Sequence, residues 1–161
     1  MLEAGETAPD FALEGVFMGE TETYRLSEYA DEGTWVMLSF YAFDFSPICT
    51  EGACSLRDAE FLQFEDDLAV LGISGDSVYS HEQFAEQHHL NYPLLADTGR
   101  TVGEKYGAVR DSYEGMERVH RRGAVVVDPS RTVRRAFAAD AEDPDDVNAG
   151  PLVDAVRRLR G

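Results

Sequence analysis

Two cysteines, Cys49 and Cys54, are the residues of this chain whose type and position could do chemistry. Ser46 and Pro47 precede Cys49, and this pair is typical of the start of a helix. Serine suits the N-cap, and proline suits the first helical position because its missing N–H would be unpaired there. Counted from Ser46, Cys49 is then the third helical residue, facing unpaired backbone N–H groups and the positive end of the helix dipole. Such a position favours the thiolate, so the sequence predicts a reactive cysteine.

The cysteines and the histidines of this chain can also be interpreted as residues without a chemical role. Free cysteines are commonly buried without a chemical role, but a helix cap before Cys49 and a second cysteine after it favour chemistry. The spacing of the two cysteines lacks the two pairs that a zinc site usually needs, so no metal is predicted. The histidines show no metal-ligand spacing either, and we interpret them as solvated. They are His81, His88, His89 and His120.

Buried strands and helices must position these cysteines. Residues 35–41 and 68–74 are apolar runs typical of strands covered on both faces. In chain order, the predicted elements are a hairpin over residues 5–26, a helical turn capped by Ser27, a strand over 35–41, a helix over 46–65, a strand over 68–74, a helix over 80–88 capped by Ser80, a short strand within 92–97, a helix over 101–106 closed by Gly107, a strand over 123–128, its hairpin partner over 132–137, an acidic loop from Pro144 and a helix over 151–160.

This order of elements predicts an α/β fold of the thioredoxin-like class. A βαβ unit is followed by a ββα unit, and helices on both sides of a mixed central sheet would bury the apolar runs. The N-terminal hairpin is an extension of that layout. At 161 residues the chain has the length of one domain, and we expect residues 1–161 to form it.

Charge composition narrows the possible partners. The net charge is −17, from 31 acidic and 14 basic residues, which argues against nucleic acid or an anionic membrane as a partner. The acidic residues are scattered along the chain, so we favour a solvated surface adapted to high salt over an acidic face for a basic partner. No apolar N-terminal run and no segment of membrane-spanning length is present, and the sequence therefore predicts a cytoplasmic protein.

Around the cysteines the chain resembles the peroxiredoxins of the alkyl hydroperoxide reductase/thiol-specific antioxidant family, in the group with bacterioferritin-comigratory and AhpE-like enzymes. The family pattern is proline, three residues, threonine or serine, two residues, cysteine; here Ala42, Ser46 and Cys49 hold these positions, so alanine replaces the proline that normally shields the sulfur. The resemblance also covers residues 8–11, 43–58, 71–74, 92–97, 106–107 and 122–128.

The resemblance implies a thiol-dependent peroxidase that needs no metal or other cofactor. Cys49 would attack hydrogen peroxide or a small organic hydroperoxide and become a sulfenic acid. Ser46, the helix N–H groups and Arg122 would stabilise the developing charge. Neighbouring Arg121 would point to the opposite face of a strand, so only one of the two arginines can serve. A thioredoxin-like protein or a small thiol would supply electrons to a monomer or homodimer.

The role of Cys54 is open at this point. Five residues along a helix separate two Cα atoms by about 8.5 Å, beyond the roughly 7 Å limit for a disulfide, so resolution by Cys54 predicts local unwinding of the helix. The alternative is that an external thiol resolves Cys49. Two other functions also remain: a thioredoxin-like thiol–disulfide reductase, whose usual two-residue cysteine spacing is absent here, and a peroxide-sensing redox switch.

Overall fold

A seven-stranded sheet forms the centre of the computed structural model, which describes residues 1–59, 67–138 and 150–160. Its strands are β1 (Ala12–Phe17), β2 (Glu20–Arg25), β3 (Trp35–Phe40), β4 (Leu68–Ser74), β5 (Leu94–Ala96), β8 (Gly123–Val127) and β9 (Val133–Ala138), while β6 (Val109–Tyr113) and β7 (Met116–His120) pair separately. The helices are α1 (Leu26–Asp31), α2 (Pro47–Asp58), α3 (Val78–His88), α4 (Thr101–Lys105) and α5 (Gly150–Arg160). None of the helices in these ranges is long and apolar enough to cross a membrane.

The strand order is β2-β1-β5-β4-β3-β8-β9, and it is mixed as predicted. β3 runs parallel to β4 and antiparallel to β8, so the most apolar strands lie beside one another in the middle. The parallel β3–β4 pair requires a crossover, and α2 begins that crossover. The predicted mixed sheet flanked by helices is therefore confirmed.

The side chains of β3 divide the core into two layers. Met37 belongs to the buried cluster that includes Ala53 and Leu56 of α2 and Phe84 of α3. Its sequence neighbours point to the other face, where Leu38 belongs to the cluster that includes residues of α1 and α4. This alternation is the period-two pattern of a strand buried on both sides, and it places α2 firmly on one face of the sheet.

Three predicted helix boundaries are wrong in detail. α1 begins at Leu26 rather than after Ser27, whose backbone N–H instead donates to the Asp10 carboxylate. α3 begins three residues early because Ser77, not Ser80, is the N-cap, and the Ser77 hydroxyl accepts from the Ser80 N–H at 3.2 Å. α2 ends at Asp58 rather than near residue 65. Residues 60–65 and the predicted acidic loop from Pro144 lie outside the described residues.

The β6–β7 hairpin is absent from the sequence prediction. Its strands carry few apolar residues, so the buried-strand pattern is missing. The signal lies in the turn, where Glu114 and Gly115 both have positive φ, at +49° and +83°. Two such residues in succession form the tight turn that matches the twist of paired strands. Met18 and Gly19 make the same kind of turn between β1 and β2, where the hairpin was predicted.

Two of the four histidines contradict the prediction that they are solvated. His81 is fully buried and lies 2.8 Å from the Asp44 carboxylate, and His120 is 1% exposed and lies 2.8 Å from the Asp97 carboxylate. Both pairs link elements that are distant in sequence. A buried histidine needs polar partners for its ring nitrogens, and the sequence spacing gives no sign of these pairings.

Asp97 also caps α4 by accepting from the backbone N–H groups of Val102 and Gly103. Burial by itself raises the pKa of Asp97, but the hydrogen bonds from His120 and from the helix outweigh it and lower that pKa below the usual value. A carboxylate with a lowered folded-state pKa stabilises the fold above its unfolded pKa, and this contribution is lost as the pH falls through the folded pKa.

Asp97→Ala is expected to lower the free energy of unfolding at pH 7 by about 3 kcal/mol, because His120 loses its buried partner. Urea denaturation between pH 7 and pH 2 would measure this effect. The difference between wild type and variant should shrink as the pH falls below the ordinary aspartate pKa and through the lowered folded-state pKa of Asp97, where the wild-type carboxylate takes up a proton. A difference that stays constant down to pH 2 would show that Asp97 acts through packing rather than charge.

Candidate active site

The predicted helix start before Cys49 is confirmed. Ser46 is the N-cap of α2 with extended backbone dihedral angles, and Pro47 is the first helical residue. The Ser46 hydroxyl accepts a hydrogen bond from the Cys49 N–H at 3.4 Å. The chain reaches this cap directly from the end of β3, through residues 41–45, so the rigid centre of the sheet positions the first turn of α2.

Cys49 is 3% exposed and lies in the apolar core layer beside α2. Half-buried Phe43 and Ile48 pack against the same cluster, as does Tyr113 from the β6–β7 hairpin. Apolar walls limit the access of water and strengthen electrostatic interactions inside the site. The thiol therefore combines a helix N-terminus with a largely dry environment.

Arg122 reaches the same edge of the sheet from β8. The antiparallel register pairs Phe40 with Gly123, so Arg122 is placed just beyond the end of β3, beside the segment that leads to α2. The side chain is 6% exposed, and its Nη1 atom is buried without a hydrogen-bond partner among the described residues. A buried, always-charged guanidinium with an open donor is a binding group for an oxygen atom.

Arg121 and Arg122 do not lie on a strand. The expectation that their side chains alternate between the two faces of a strand is therefore wrong. They occupy the junction between β7 and β8, and the Arg121 N–H donates to the Ala108 carbonyl at 2.7 Å. The two side chains differ in burial, since Arg122 is buried and Arg121 is half-buried.

Tyr113 is a further polar group at this site that the sequence analysis missed. Burial raises the pKa of the Tyr113 hydroxyl, the negative charges of Glu114 and Cys49 raise it further, and Arg122 lowers it. The phenol is therefore within electrostatic reach of both Cys49 and Arg122. Its position follows from the β6–β7 hairpin, so overlooking that hairpin concealed the residue.

Cys54 lies on a different side of α2. It is half-buried, and its charge contributes, after burial, to the raised pKa of Tyr92. The Tyr92 hydroxyl donates to the Ala53 carbonyl in the same helix. Cys49 instead neighbours Tyr113, and both thiols are free. Both cysteines lie in one continuous helix from Pro47 to Asp58, which is the condition under which the Cα separation was calculated from the sequence.

Gly52 lies between the two cysteines in α2. A Cβ atom at this position would have no neighbour within 4 Å, so packing does not require a glycine there. Glycine inside a helix costs about 1 kcal/mol relative to alanine, because the unfolded chain gains backbone freedom. The segment between the thiols is therefore the weak part of an otherwise well-capped helix.

Comparisons with known proteins found similar sequences and similar structures. A model of the AhpC/TSA family matches residues 4–136. Peroxiredoxin Bcp of Bacillus subtilis is 35% identical over 123 residues, which are 73% of this chain and 75% of that protein. The selenocysteine-containing peroxiredoxin PrxU of Peptoclostridium acidaminophilum is 33% identical over 142 residues, which are 83% of this chain and 66% of that protein. The crystal structure of peroxidoxin BcpB from Mycobacterium tuberculosis superposes with a TM-score of 0.80 at 29% identity, covering 100% of both chains.

Ser46→Ala is expected to lower the free energy of unfolding by about 1 kcal/mol through the loss of the helix cap. It should also slow the alkylation of Cys49 by iodoacetamide at pH 7, because the first turn no longer holds its N–H groups against the sulfur. Ser77→Ala is the matched control, since Ser77 caps α3 in the same way. An equal alkylation rate in both variants would contradict a role for the α2 cap in thiol reactivity.

Proposed function

The chain belongs to the AhpC/TSA family of peroxiredoxins, and we propose that it reduces peroxides at the sulfur of Cys49. Membership of this family makes it a thiol-dependent peroxidase, an oxidoreductase that uses cysteine chemistry. The family and the enzyme class predicted from the sequence are thereby confirmed. The roles of individual residues, the order of the thiol steps and the choice of substrate make up our proposal.

One observation carries the proposal: the open Nη1 donor of Arg122 is buried at the same sheet edge as the capped thiol of Cys49. A peroxide has two oxygen atoms that can accept hydrogen bonds and no charge to attract it into an apolar pocket. Arg122 would supply a fixed donor to these oxygens, and the Ser46 hydroxyl and the N–H groups of the first helical turn would supply others. Such donors act most strongly where water is excluded.

The first chemical step is a displacement at oxygen. The Cys49 thiolate attacks one peroxide oxygen, an S–O bond forms, and the O–O bond breaks. Sulfur is oxidised to sulfenic acid, and the leaving oxygen takes up a proton and departs as water or an alcohol. Negative charge moves from sulfur onto both oxygens along this path, which is why Arg122 stabilises the transition state more than it stabilises the bound peroxide.

We further propose that Cys54 resolves the sulfenic acid. Its thiol would attack the Cys49 sulfur, form an intrachain disulfide and release the sulfenic oxygen as water. Because the folded helix holds the thiols apart, the first turns of α2 must unwind before this step, and Gly52 lowers the cost of unwinding. A thioredoxin-like protein or a small thiol would then reduce the disulfide and complete the cycle.

Hydrogen peroxide and small organic hydroperoxides are the substrates we favour, because Cys49 is 3% exposed and half-buried apolar side chains pack against the cluster that contains it. A cytoplasmic location and a surface adapted to high salt stay predictions, as does the monomeric or homodimeric state.

The redox-switch alternative makes a different kinetic prediction: a sensor reacts once with peroxide and does not turn over with excess thiol. A thiol–disulfide reductase would need both cysteines but no peroxide.

Replacing Cys49 with serine is expected to abolish the fast reaction with hydrogen peroxide, and Arg122→Lys to slow it about 100-fold, because lysine keeps the charge but loses the fixed fork of donors. Stopped-flow fluorescence of Trp35, the single tryptophan, would follow the reaction.

Arg121→Lys is the matched control for this experiment and should react like wild type. If Arg121→Lys and Arg122→Lys slowed the reaction equally, the assignment of the oxygen-binding donor to Arg122 would be wrong. If wild type showed no fast phase although thiol assays confirmed reduced protein, the peroxidase proposal would fail.

Gly52→Ala is expected to slow disulfide formation about fivefold while leaving the peroxide step unchanged, because alanine stabilises the helix that has to unwind. Free thiols trapped after one equivalent of peroxide would report the second step, and the first fluorescence phase serves as an internal control. Cys54→Ser should lose the second step altogether. A Cys54 thiol that remains free in wild type would instead establish that an external thiol resolves Cys49.

A further inference from the structure

We propose that a buried hydrogen-bond network centred on Asp44 positions Cys49 for the peroxide step, which makes Asp44 and His81 positioning residues of this enzyme. The network consists of Tyr41, Asp44, Asp76, Ser80 and His81, and we call it the Asp44 network. It lies at the end of the sheet from which residues 41–46 lead to α2. The inference rests on the proposed role of Cys49 and adds residues that do not touch the substrate.

The Asp44 carboxylate is the centre of the network. One oxygen accepts from the Tyr41 hydroxyl at 2.7 Å, and the other contacts the Ser80 hydroxyl and the His81 Nδ1 atom, each at 2.8 Å. The side chains of Asp44 and His81 are both fully buried. Burial raises the pKa of Tyr41 well above its usual value, and Asp44 raises it further, so the hydroxyl keeps its proton and donates. Three convergent partners leave this carboxylate a single orientation.

Further hydrogen bonds connect the loop of residues 41–46, which leads from β3 to α2, to neighbouring strands and to α3. The His81 Nε2 atom lies 2.9 Å from the Leu95 carbonyl in β5, which can only accept, so this nitrogen carries a proton. The backbone N–H of Asp44 donates to the Asp76 carboxylate at 2.9 Å, and Ser74 at the end of β4 donates to the same oxygen. The loop is thereby tied to β4, β5 and α3 at one residue.

Phe45, which follows Asp44, has a strained backbone conformation that its neighbours must maintain. Its φ is +70°, in the left-handed region that a bulky residue adopts only at a cost of about 1–2 kcal/mol. Such backbone persists where its surroundings over-determine it. Here the Asp44 network fixes the residue before Phe45, and the cap formed by Ser46 fixes the residue after it. Relaxing Phe45 would redirect Ser46 and the first turn of α2, which carries Cys49.

A second assignment for the same atoms is a cation site, because ligand atoms of Asp44, Asp76 and His81 lie within 4.8 Å of one another. Each of the three side chains, however, already hydrogen-bonds within the network. The contact between His81 Nδ1 and the Asp44 carboxylate at 2.8 Å has the length of a hydrogen bond. The geometry therefore favours a positioning role over metal binding.

The test compares two reactions of Cys49 in a Cys54→Ser background, where only one thiol remains. Reaction with hydrogen peroxide needs the thiolate and aligned donors around both oxygens, whereas alkylation by iodoacetamide needs the thiolate alone. Asp44→Ala is expected to lower the ratio of the peroxide rate constant to the alkylation rate constant at least about 10-fold, because misplacing the reacting atoms by an ångström is that costly. Asp44→Asn, which preserves the shape and most hydrogen bonds, should retain a ratio close to that of the parent.

Asp97→Ala is the matched control, since it also removes the carboxylate of a buried His–Asp pair, and that carboxylate hydrogen-bonds His120 and the start of α4 rather than the Asp44 network. It should destabilise the protein in urea while leaving the ratio unchanged. If Asp44→Ala fails to fold, Tyr41→Phe and Ser80→Ala each remove one donor to Asp44 and should lower the ratio in smaller steps. A ratio equal to the parent in folded variants, or an equal fall in Asp97→Ala, would overturn the positioning role. Loss of peroxide reactivity in the parent itself would overturn the proposed function instead.

Discussion

The antiparallel pairing of β8 with β3 is the constraint on which the site depends. β3 ends at Phe40 and leads to α2 and Cys49, and the register of the pair places Arg122 at the same edge from the opposite direction. Two residues more than seventy positions apart in the chain are thus brought to the same sheet edge by main-chain hydrogen bonds rather than by flexible side chains. The β6–β7 hairpin adds Tyr113 to the same edge, because it leads directly into β8.

In the catalytic cycle that we propose, the first half of α2 has to meet two opposed requirements. Peroxide chemistry needs a rigid first turn, and the Ser46 cap, Pro47 and the Asp44 network supply that rigidity from the N-terminal side. Formation of the proposed Cys49–Cys54 disulfide needs the same turns to unwind, and Gly52 lowers the stability of the helix between the two cysteines. The opposed features are separated along the helix, so the reduced enzyme can be well ordered at Cys49 while the barrier to unwinding remains low.

Local chemistry accounts for what the sequence could predict. The apolar runs of β3, β4 and β8 and the Ser46–Pro47 helix start depend on neighbouring residues, and a reader of the sequence can recognise them. The β6–β7 hairpin escaped notice because its strands are polar and only the Glu114–Gly115 turn marks it. His81 appeared to be a surface residue because its partner, Asp44, is distant in sequence. Buried polar pairs of this kind are specified by tertiary contacts, which spacing alone does not reveal.

The unpaired donor of Arg122 has a consequence for selectivity. A buried N–H without an acceptor generally costs a folded protein about 1–3 kcal/mol, and the Nη1 atom of Arg122 has no acceptor among the described residues. In the role that we propose for Arg122, a molecule that brings an oxygen acceptor to Nη1 completes its hydrogen bond. A thiol-reactive electrophile without such an acceptor does not. The same donor thus discriminates between compounds that share an ability to react with sulfur but differ in whether they carry an oxygen acceptor.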